Sequence, residues 1–551
     1  MLTYPNELIL MIRFFYIFIL IIFFKTTFYA QLNIDWARSL NGISEDYISK
    51  IVLDKDANVI GIGTFQDSIS SLQSYGLNDI MVFKYNKSGD ILWLVQLGSS
   101  SDDWGNDIAI DSTGNIYITG YYKSTFYYNN DSLPNRGSAD AFVAKIDSLG
   151  TIQWVKGFGH SGNDIGNAII VDKDEKVYVS GTFGDSLNID GQQLLSYSNY
   201  NNFLIQLDNS GQLSWHNTIS TATTNNIQDI ELDANGDIYL LGYFRDAVYG
   251  TLGQLFSDGN NDLLLAKFSS VGQLLWWKKM GGRSVDLGIA LHISNNYIYI
   301  CGVFQDTATF GALTRICEGE FDAFLAQCDM QGTVNWIQIV GGTDNSKGFD
   351  IATLANGNIY MVGLFEGTGR WGTDSATSRL PRHVPSDIFI AEYKTDGSYQ
   401  SIKTIGSAGT DYATGICVLD STNIFIAGIF NDTVFFDSNL LTSSGTDAFI
   451  CKSSSLQPLG LGPIEPNISG ALIFPNPVSE IATIEFELEE FATIDIVLFN
   501  AFGQAVKTLL SNQYCIGLQQ LRFNKEFLPA GIYYIAINSP NQKIVLPLTI
   551  Q

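Results

Sequence analysis

Soft metal ligands are scarce in this chain. Four histidines, His160, His216, His292 and His383, stand far apart among 551 residues and make no HExxH spacing, which excludes a helix-borne zinc site of that kind. The six cysteines, Cys301, Cys317, Cys328, Cys417, Cys451 and Cys515, show neither paired nor repeat-locked spacing. That excludes a disulfide framework and leaves one bridge among the first three as the pairing their proximity allows. Basic charge is also short, with Lys+Arg 30 against Asp+Glu 56 and a net charge of −26. The excess acid is dispersed over the chain, and such a surface repels phosphate backbones and anionic headgroups. Nucleic acid is therefore excluded as a partner; divalent cations, cationic ligands and neutral glycans are not. Helical periodicity is missing throughout.

A long apolar segment is missing too. The run from Phe14 to Phe24 holds eleven residues, well below the roughly twenty that cross a bilayer. With Arg13 before it and Ala30-Gln31 after it, it reads as a signal peptide over residues 1–30, with Met11 as the start and cleavage between Ala30 and Gln31. No cysteine follows the cut, so neither a lipoprotein nor a transmembrane anchor in the mature chain is expected.

What the chain does have is a period. Trp36, Trp93, Trp154, Trp215, Trp276 and Trp336 are separated by 57, 61, 61, 61 and 60 residues. Each interior Trp lies four residues after a glycine, as in Gly150-Thr-Ile-Gln-Trp154; the same frame at Gly397 carries Ser401 instead. Between tryptophans, alternating runs such as Asn106–Asp111 are followed by tight turns and by runs closing on glycine, such as Asn115-Ile-Tyr-Ile-Thr-Gly120. Those patterns are half-buried strands joined by hairpins. A further strand, such as Asp140–Lys145, follows a longer loop. Four short strands per unit of sixty residues fit a β-propeller blade. The expected fold is all-β: a seven-bladed β-propeller over residues 31–453, closed by the N-terminal Trp36 strand. Each Trp fills the wedge between blades, with Ser401 as the weakest contact.

Phe430-Asn-Asp-Thr-Val-Phe-Phe-Asp and Ser443-Ser-Gly-Thr-Asp-Ala-Phe-Ile-Cys-Lys452 resemble the SBBP-type bacterial propeller repeat, copies of which cover most of residues 36–452. The resemblance implies the fold and a surface or secreted setting, and no catalytic residue. Residues 454–470 are rich in Pro, Gly and Ser and read as a linker. Residues 471–551 are expected to form a small β-sandwich with strands at Ala482–Glu489, Thr493–Phe499, Leu518–Arg522, Ile532–Ile537 and Lys543–Thr549. This segment resembles the type IX secretion sorting domain of Bacteroidetes through Phe474-Pro475-Asn476-Pro477, Asn500-Ala-Phe-Gly503 and Leu528-Pro-Ala-Gly531-Ile-Tyr-Tyr534. It departs in ending on Leu546-Pro-Leu-Thr-Ile-Gln551 rather than on basic residues. The resemblance implies the secretion machinery as a partner and a passenger released or held at the cell surface.

Chemistry is thinner. Gly159-His160-Ser161-Gly162 lacks the final glycine of a nucleophile elbow, Asn163 standing there. The Asp-x-x-Gly-x-x-x-Trp turn resembles quinone-dependent dehydrogenases, but the adjacent cysteines common in those enzymes are missing. Asp46, Asp103, Asp164, Asp286 and Asp411 precede the first strands, with Asn225 and Ser346 at the matching places. These are candidates for a ring of oxygen donors at one mouth of the propeller, suited to calcium or a polar ligand; the alternative is that each bonds its own turn. The expected function is non-enzymatic binding or scaffolding, directed at a glycan or surface protein through variable loops at 123–138, 184–199 and 366–385. A polysaccharide hydrolase or lyase with channel carboxylates is the alternative.

Overall fold

The computed structural model describes residues 31–551 except 41, 43, 197–200, 224, 379–385, 457–467, 502–504, 526–527 and 539–542. The signal segment, His383, Gly503 and most of the expected linker lie outside the described residues. The chain divides into two compact units, Met1–Pro458 and Leu459–Gln551.

Among the described residues there is no helix, and seven antiparallel sheets of the first unit share one four-strand plan. Sheet 1 runs Asp46–Leu53, Val59–Ile69, Leu72–Tyr85 and Ile91–Leu97, in that order. Sheets 2 to 6 begin on Trp104–Ile110, Ile165–Val171, Asn225–Leu232, Asp286–Ser294 and Ser346–Thr353. Their fourth strands are Ile152–Phe158, Leu213–Thr221, Leu274–Gly282, Val334–Gly342 and Tyr399–Ile405. Sheet 7 has Tyr412–Asp420, Asn423–Phe436 and Asn439–Leu456, and its fourth strand is Gln31–Leu40, with Ala37 opposite Cys451. The first strands neighbour one another in succession from sheet 1 to sheet 7, and that of sheet 7 lies beside that of sheet 1. Apolar clusters fill the wedges: Ile60, Ile62 and Val82 of sheet 1 pack with Ile108 and Ile118 of sheet 2. The architecture is all-β and propeller-like.

Each first strand carries a bulge, where its register against the second strand slips, as between Ile48 and Lys50 or Gly105 and Asp107. The bulge turns a first-strand carbonyl toward the second strand at Gly63, Gly120, Gly181, Gly242, Gly302, Gly363 or Gly428. A β-carbon at these seven positions would lie 1.9–2.1 Å from that oxygen, which is why the second-strand runs close on glycine. Gly302→Ala is expected to cost about 3 kcal/mol or more in urea unfolding. Gly445→Ala, where a β-carbon meets nothing within 4 Å, should stay within about 0.5 kcal/mol of the parent.

The Gly-x-x-x-Trp period has an inter-sheet cause. The turn glycines Gly89, Gly150, Gly211, Gly272, Gly332 and Gly397 have φ of +76° to +87°, a conformation that glycine adopts without steric cost. Each lies under the tryptophan of the preceding sheet: a β-carbon there would sit 2.7–3.2 Å from Trp36, Trp93, Trp154, Trp215, Trp276 and Trp336 in turn. The indole N–H of Trp36, Trp93, Trp154 and Trp336 donates to a carbonyl of the same turn, Lys87, Ser148, Asn209 and Thr395, at 3.1–3.2 Å. Sheet 7 has no such turn, because its fourth strand arrives from residues 31–40. The position in sheet 6 that would need a turn to cover it is Ser401, whose hydroxyl instead donates to Glu392 at 3.0 Å.

The connections expected as long loops contain short hairpins: Phe126–Tyr128 with Asp131–Leu133, Ser186–Ile189 with Gln192–Leu195, and Thr368–Trp371 with Asp374–Thr377. Three hairpins, at Ala247–Gly250, Thr307–Phe310 and Thr368–Trp371, also pair with the fourth strand of the preceding sheet. Their apolar alternation is only four residues long, too short to register as a strand in the sequence.

The second unit holds Ile468–Phe474, Ile481–Asn500, Ala505–Asn524, Gly531–Asn538 and Lys543–Ile550, hydrogen-bonded as one five-stranded sheet. The two strands expected at 482–489 and 493–499 are a single strand, since Glu489-Glu490-Phe491 offers no turn-forming residue. Its first half pairs with 468–474 and its second half with 531–538. Ala482, Ile484, Phe486, Leu488, Ile494, Ile496 and Leu498 form the core with Ile535 and Ile537. Asn476 clamps the last strand, donating to Pro547 O at 2.8 Å and accepting from Thr549 N at 2.9 Å. Gly531 opens the strand that pairs with it, opposite Ile550.

Candidate functional site

Asp46, Asp103, Asp164, Asp286 and Asp411 stand at or just before the start of the first strands and are buried, 0–1% exposed. Four of them bond their own turns. Oδ2 accepts the N–H four residues earlier: His160 to Asp164 at 2.7 Å, Gly282 to Asp286 at 2.6 Å, Ser407 to Asp411 at 2.5 Å, and Ser99 to Asp103. In three the other oxygen reaches forward about one hairpin, accepting from Lys123 at 3.1 Å, Gly184 at 3.2 Å and Asn431 at 3.0 Å.

Each of the five also faces an aspartate that lies on the third strand of the preceding sheet: Asp46 with Asp447, Asp103 with Asp79, Asp164 with Asp140, Asp286 with Asp262, and Asp411 with Asp387. The strands are pinned there by bonds such as Asp103 N to Asn78 O at 2.9 Å and Asp286 N to Asn261 O at 2.8 Å. Packing is tight: a β-carbon on Gly281 would lie 2.7 Å from Asp262 Oδ1 and 2.8 Å from Asp286 Oδ2. Burial, reinforced by the facing carboxylate, pushes Asp103, Asp164, Asp286 and Asp411 up to about 7 and Asp46 to about 8. Burial lifts Asp79 and Asp262 to about 6, in Asp262 with a contribution from the Asp258 carboxylate, against the hydrogen bonds that lower both and the Lys279 ammonium beside Asp262. No donor among the described residues reaches Asp79 Oδ1 or Asp262 Oδ1. The same junction between sheets 3 and 4 uses amides, Asn201 and Asn225. Among the described residues, no group of three or more His, Cys, Asp or Glu is placed to hold a metal ion.

The most charged interior lies elsewhere. A cavity of about 330 Å³ is lined by residues of all seven first strands, and a second, of about 190 Å³, shares Lys50, Asp107 and Asp229 with it. Directly after each bulge stand Lys50, Asp107, Ala168, Asp229, Ala290, Asp350 and Gly415. Sheets 2, 4 and 6 place an aspartate there; sheets 3, 5 and 7 place a small residue and supply the partner. Asp107 accepts from Ile169 N at 2.7 Å, Asp229 from Leu291 N at 2.9 Å and Asp350 from Ile416 N at 2.8 Å, each in the following sheet. Such alternation cannot close over an odd number of sheets. Lys50 occupies the odd place, its Nζ 2.7 Å from Asp350 Oδ1. Burial alone would lower the Lys50 pKa, but Asp350, Asp229 and Asp107 reverse this and hold the ammonium charged. Burial raises Asp107 to about 6 and Asp229 to about 8. Of the histidines, His292 lines the larger cavity, 3.4 Å from Glu231 and 3.1 Å from Thr353 Oγ1.

The expectation from sequence did not include these waist residues. They sit four positions after Asp46, Asp103, Asp164, Asn225, Asp286, Ser346 and Asp411, so superposing the seven repeats would have exposed the alternation of charged and small residues.

Residues 472–551 match the model of a secretion system C-terminal sorting domain, and residues 92–121 match a beta-propeller repeat of the SBBP family. The sorting domain directs export across the outer membrane by type IX secretion, to the cell surface or the extracellular space, and implies contact with that machinery. Among curated proteins, the chain is 20% identical over 529 residues to an uncharacterized WD repeat-containing protein, L264, of Acanthamoeba polyphaga mimivirus, a match covering 76% of this chain and 38% of that protein. It is 22% identical over 236 residues to the regulatory protein FlaEY of Caulobacter vibrioides, covering 40% and 24%. The chain thus spans well under half the length of both. Among solved structures, a fungal alcohol oxidase of the AA5 family in complex with copper aligns at 10% identity with a TM-score of 0.39, covering 95% of this chain and 99% of that one.

Proposed function

We propose that this secreted propeller protein is a seven-bladed propeller, closed by the strand Gln31–Leu40, that acts outside the cell as a non-enzymatic binding and scaffolding module. The seven sheets of one plan, the succession of neighbouring first strands and the pairing of Gln31–Leu40 with Asn439–Leu456 support the closed seven-blade reading. The observation that carries the non-enzymatic reading is the bonding of the waist: Asp107, Asp229 and Asp350 each accept a backbone N–H of the next sheet. Acid–base cleavage of a glycoside needs two carboxyl groups free to exchange protons with the substrate. Here they serve as links between sheets, and their loss would leave backbone donors unpaired.

The test is turnover. Incubation of the purified chain with neutral and uronate-containing polysaccharides should release no reducing ends and no unsaturated uronate above buffer. Release that Asp229→Asn abolishes would establish the hydrolase or lyase reading instead.

A further inference from the structure

We propose that the seam between sheets 2 and 3 is a binding site for a neutral saccharide; the proposal rests on the reading of the first unit as an extracellular binding module. Sheets 3, 4 and 5 end in nine-residue strands whose last residues pair with the hairpin of the next sheet. The fourth strand of sheet 2 is seven residues long and stops at Phe158. Gly159-His160-Ser161-Gly162 follows where sheets 3, 4 and 5 continue as strand. The facing hairpin, Ser186–Ile189 with Gln192–Leu195, therefore stands as a separate two-stranded sheet. One backbone bond ties it to the loop, Gly159 N to Asn188 O at 3.3 Å. The seam is left open as a cleft of about 480 Å³, lined by Trp154, Lys156, His160, Asn188, Asp190 and Gln212 among others. That volume is in the range of small-molecule sites.

The chemistry of the cleft selects a class of ligand. Its charges are already paired: Lys156 Nζ lies 2.6 Å from both oxygens of Asp190, and Arg136 at the rim turns to Asp140 at 3.5 Å. An ionic ligand finds no counter-ion waiting. Two side-chain amides, Asn188 and Gln212, have no hydrogen-bond partner among the described residues. Each offers a donor and an acceptor side by side, the complement of neighbouring hydroxyls. The half-buried indole of Trp154 supplies an apolar wall for the C–H face of a sugar ring. That wall is rigid, because its N–H is held by Asn209 O at 3.1 Å and Gly211 packs against its ring. Export brings the cleft into contact with extracellular polysaccharide.

Calorimetric titration of the chain 31–551 with cellohexaose, xylohexaose, mannohexaose and chitohexaose should find at least one that binds with Kd below about 1 mM. The double substitution Asn188→Ala with Gln212→Ala should weaken it at least about tenfold while leaving Tm unchanged, since both amides lack partners. Absence of binding by all four sugars overturns the proposal. So does binding that the double variant leaves intact, which would place a saccharide site elsewhere and keep the binding-module reading. A pool of uncharged peptides that binds in place of the sugars, and is lost in the variant, overturns the ligand class. Cleavage of any hexasaccharide during the titration would instead remove the non-enzymatic reading, with the site itself still judged by the variant.

Discussion

The melting temperature of the chain 31–551 should fall by at least about 5 °C from about pH 5.5 to about pH 8 in metal-free buffer. The carboxyl groups at the junctions are the reason. Asp46, Asp103, Asp164, Asp286 and Asp411 have folded values of about 7 to 8, raised first by burial. In the unfolded chain they revert to about 4. Between those limits the folded state holds protons that the unfolded state has released, so stability is full below about pH 4 and is lost as pH rises through 7 to 8. Relief of surface repulsion at −26 acts in the same direction, so the parent profile alone does not identify the groups. Asp79→Asn with Asp262→Asn does. In each, Oδ2 accepts the protein's hydrogen bonds, from Tyr75 N at 2.8 Å and from Asp258 N at 2.7 Å, while no donor among the described residues reaches Oδ1. An amide keeps the accepting oxygen and turns a donor toward Asp103 and Asp286, and the junction between sheets 3 and 4 carries amides, Asn201 and Asn225, at the same two places. The variant should be more stable than the parent at pH 8 and little changed at pH 5.5, flattening the profile. Equal destabilisation at both pH values would show that the junction carboxylates are ionised caps, and the paired-acid account would fail.

Removing residues 31–40 is expected to abolish cooperative unfolding of the first unit. The strand Gln31–Leu40 supplies the fourth strand of sheet 7, from Leu32 opposite Ser455 to Leu40 opposite Ala448. It also carries Trp36, seated on Gly89 and bonded to Lys87 O at 3.1 Å. Loss of one buried Trp contributes about 3–5 kcal/mol. Exposure of the strand Asn439–Leu456 as a long free edge adds a tendency to self-association. The chain 41–551 should therefore elute as multimers and melt without a sharp transition. A synthetic peptide of residues 31–40 added in excess should restore part of the monomer peak. A sharp, parent-like transition in the shortened monomer would mean that Gln31–Leu40 is an accessory strand, and the closed seven-blade reading would lose its main support.

Much of the local structure was legible because it follows from spacing. The Trp period marked the repeat, the hairpin turns marked strand boundaries, and the run ending on Gly120 and its counterparts marked the second strands. What the pattern withheld was which residues meet across repeats. Gly150 precedes Trp154 in the sequence but lies under Trp93. Ser401 reads as a weak contact, yet it faces a sheet that lacks the turn a tryptophan would need. The aspartates at 46, 103, 164, 286 and 411 were visible as a set. Their burial was not, because a turn-capping Asp and an exposed one have the same sequence surroundings.

The sequence by itself determined the repeat length, the strand order within each unit, the change of rhythm after residue 453 and, through the Pro475-Asn476-Pro477 and Gly531 motifs, the route of export. These are one-dimensional properties, set by side-chain alternation and turn chemistry within a few residues. Tertiary structure alone decided that first strands pack side by side, bringing Lys50 against Asp350 across three hundred positions of sequence. It also decided that acids from neighbouring sheets confront each other out of water, and that one seam stays open where a strand stops at Phe158. Each of these depends on contacts between sheets, where desolvation and charge act over a few ångströms of space and the distance along the chain has no influence.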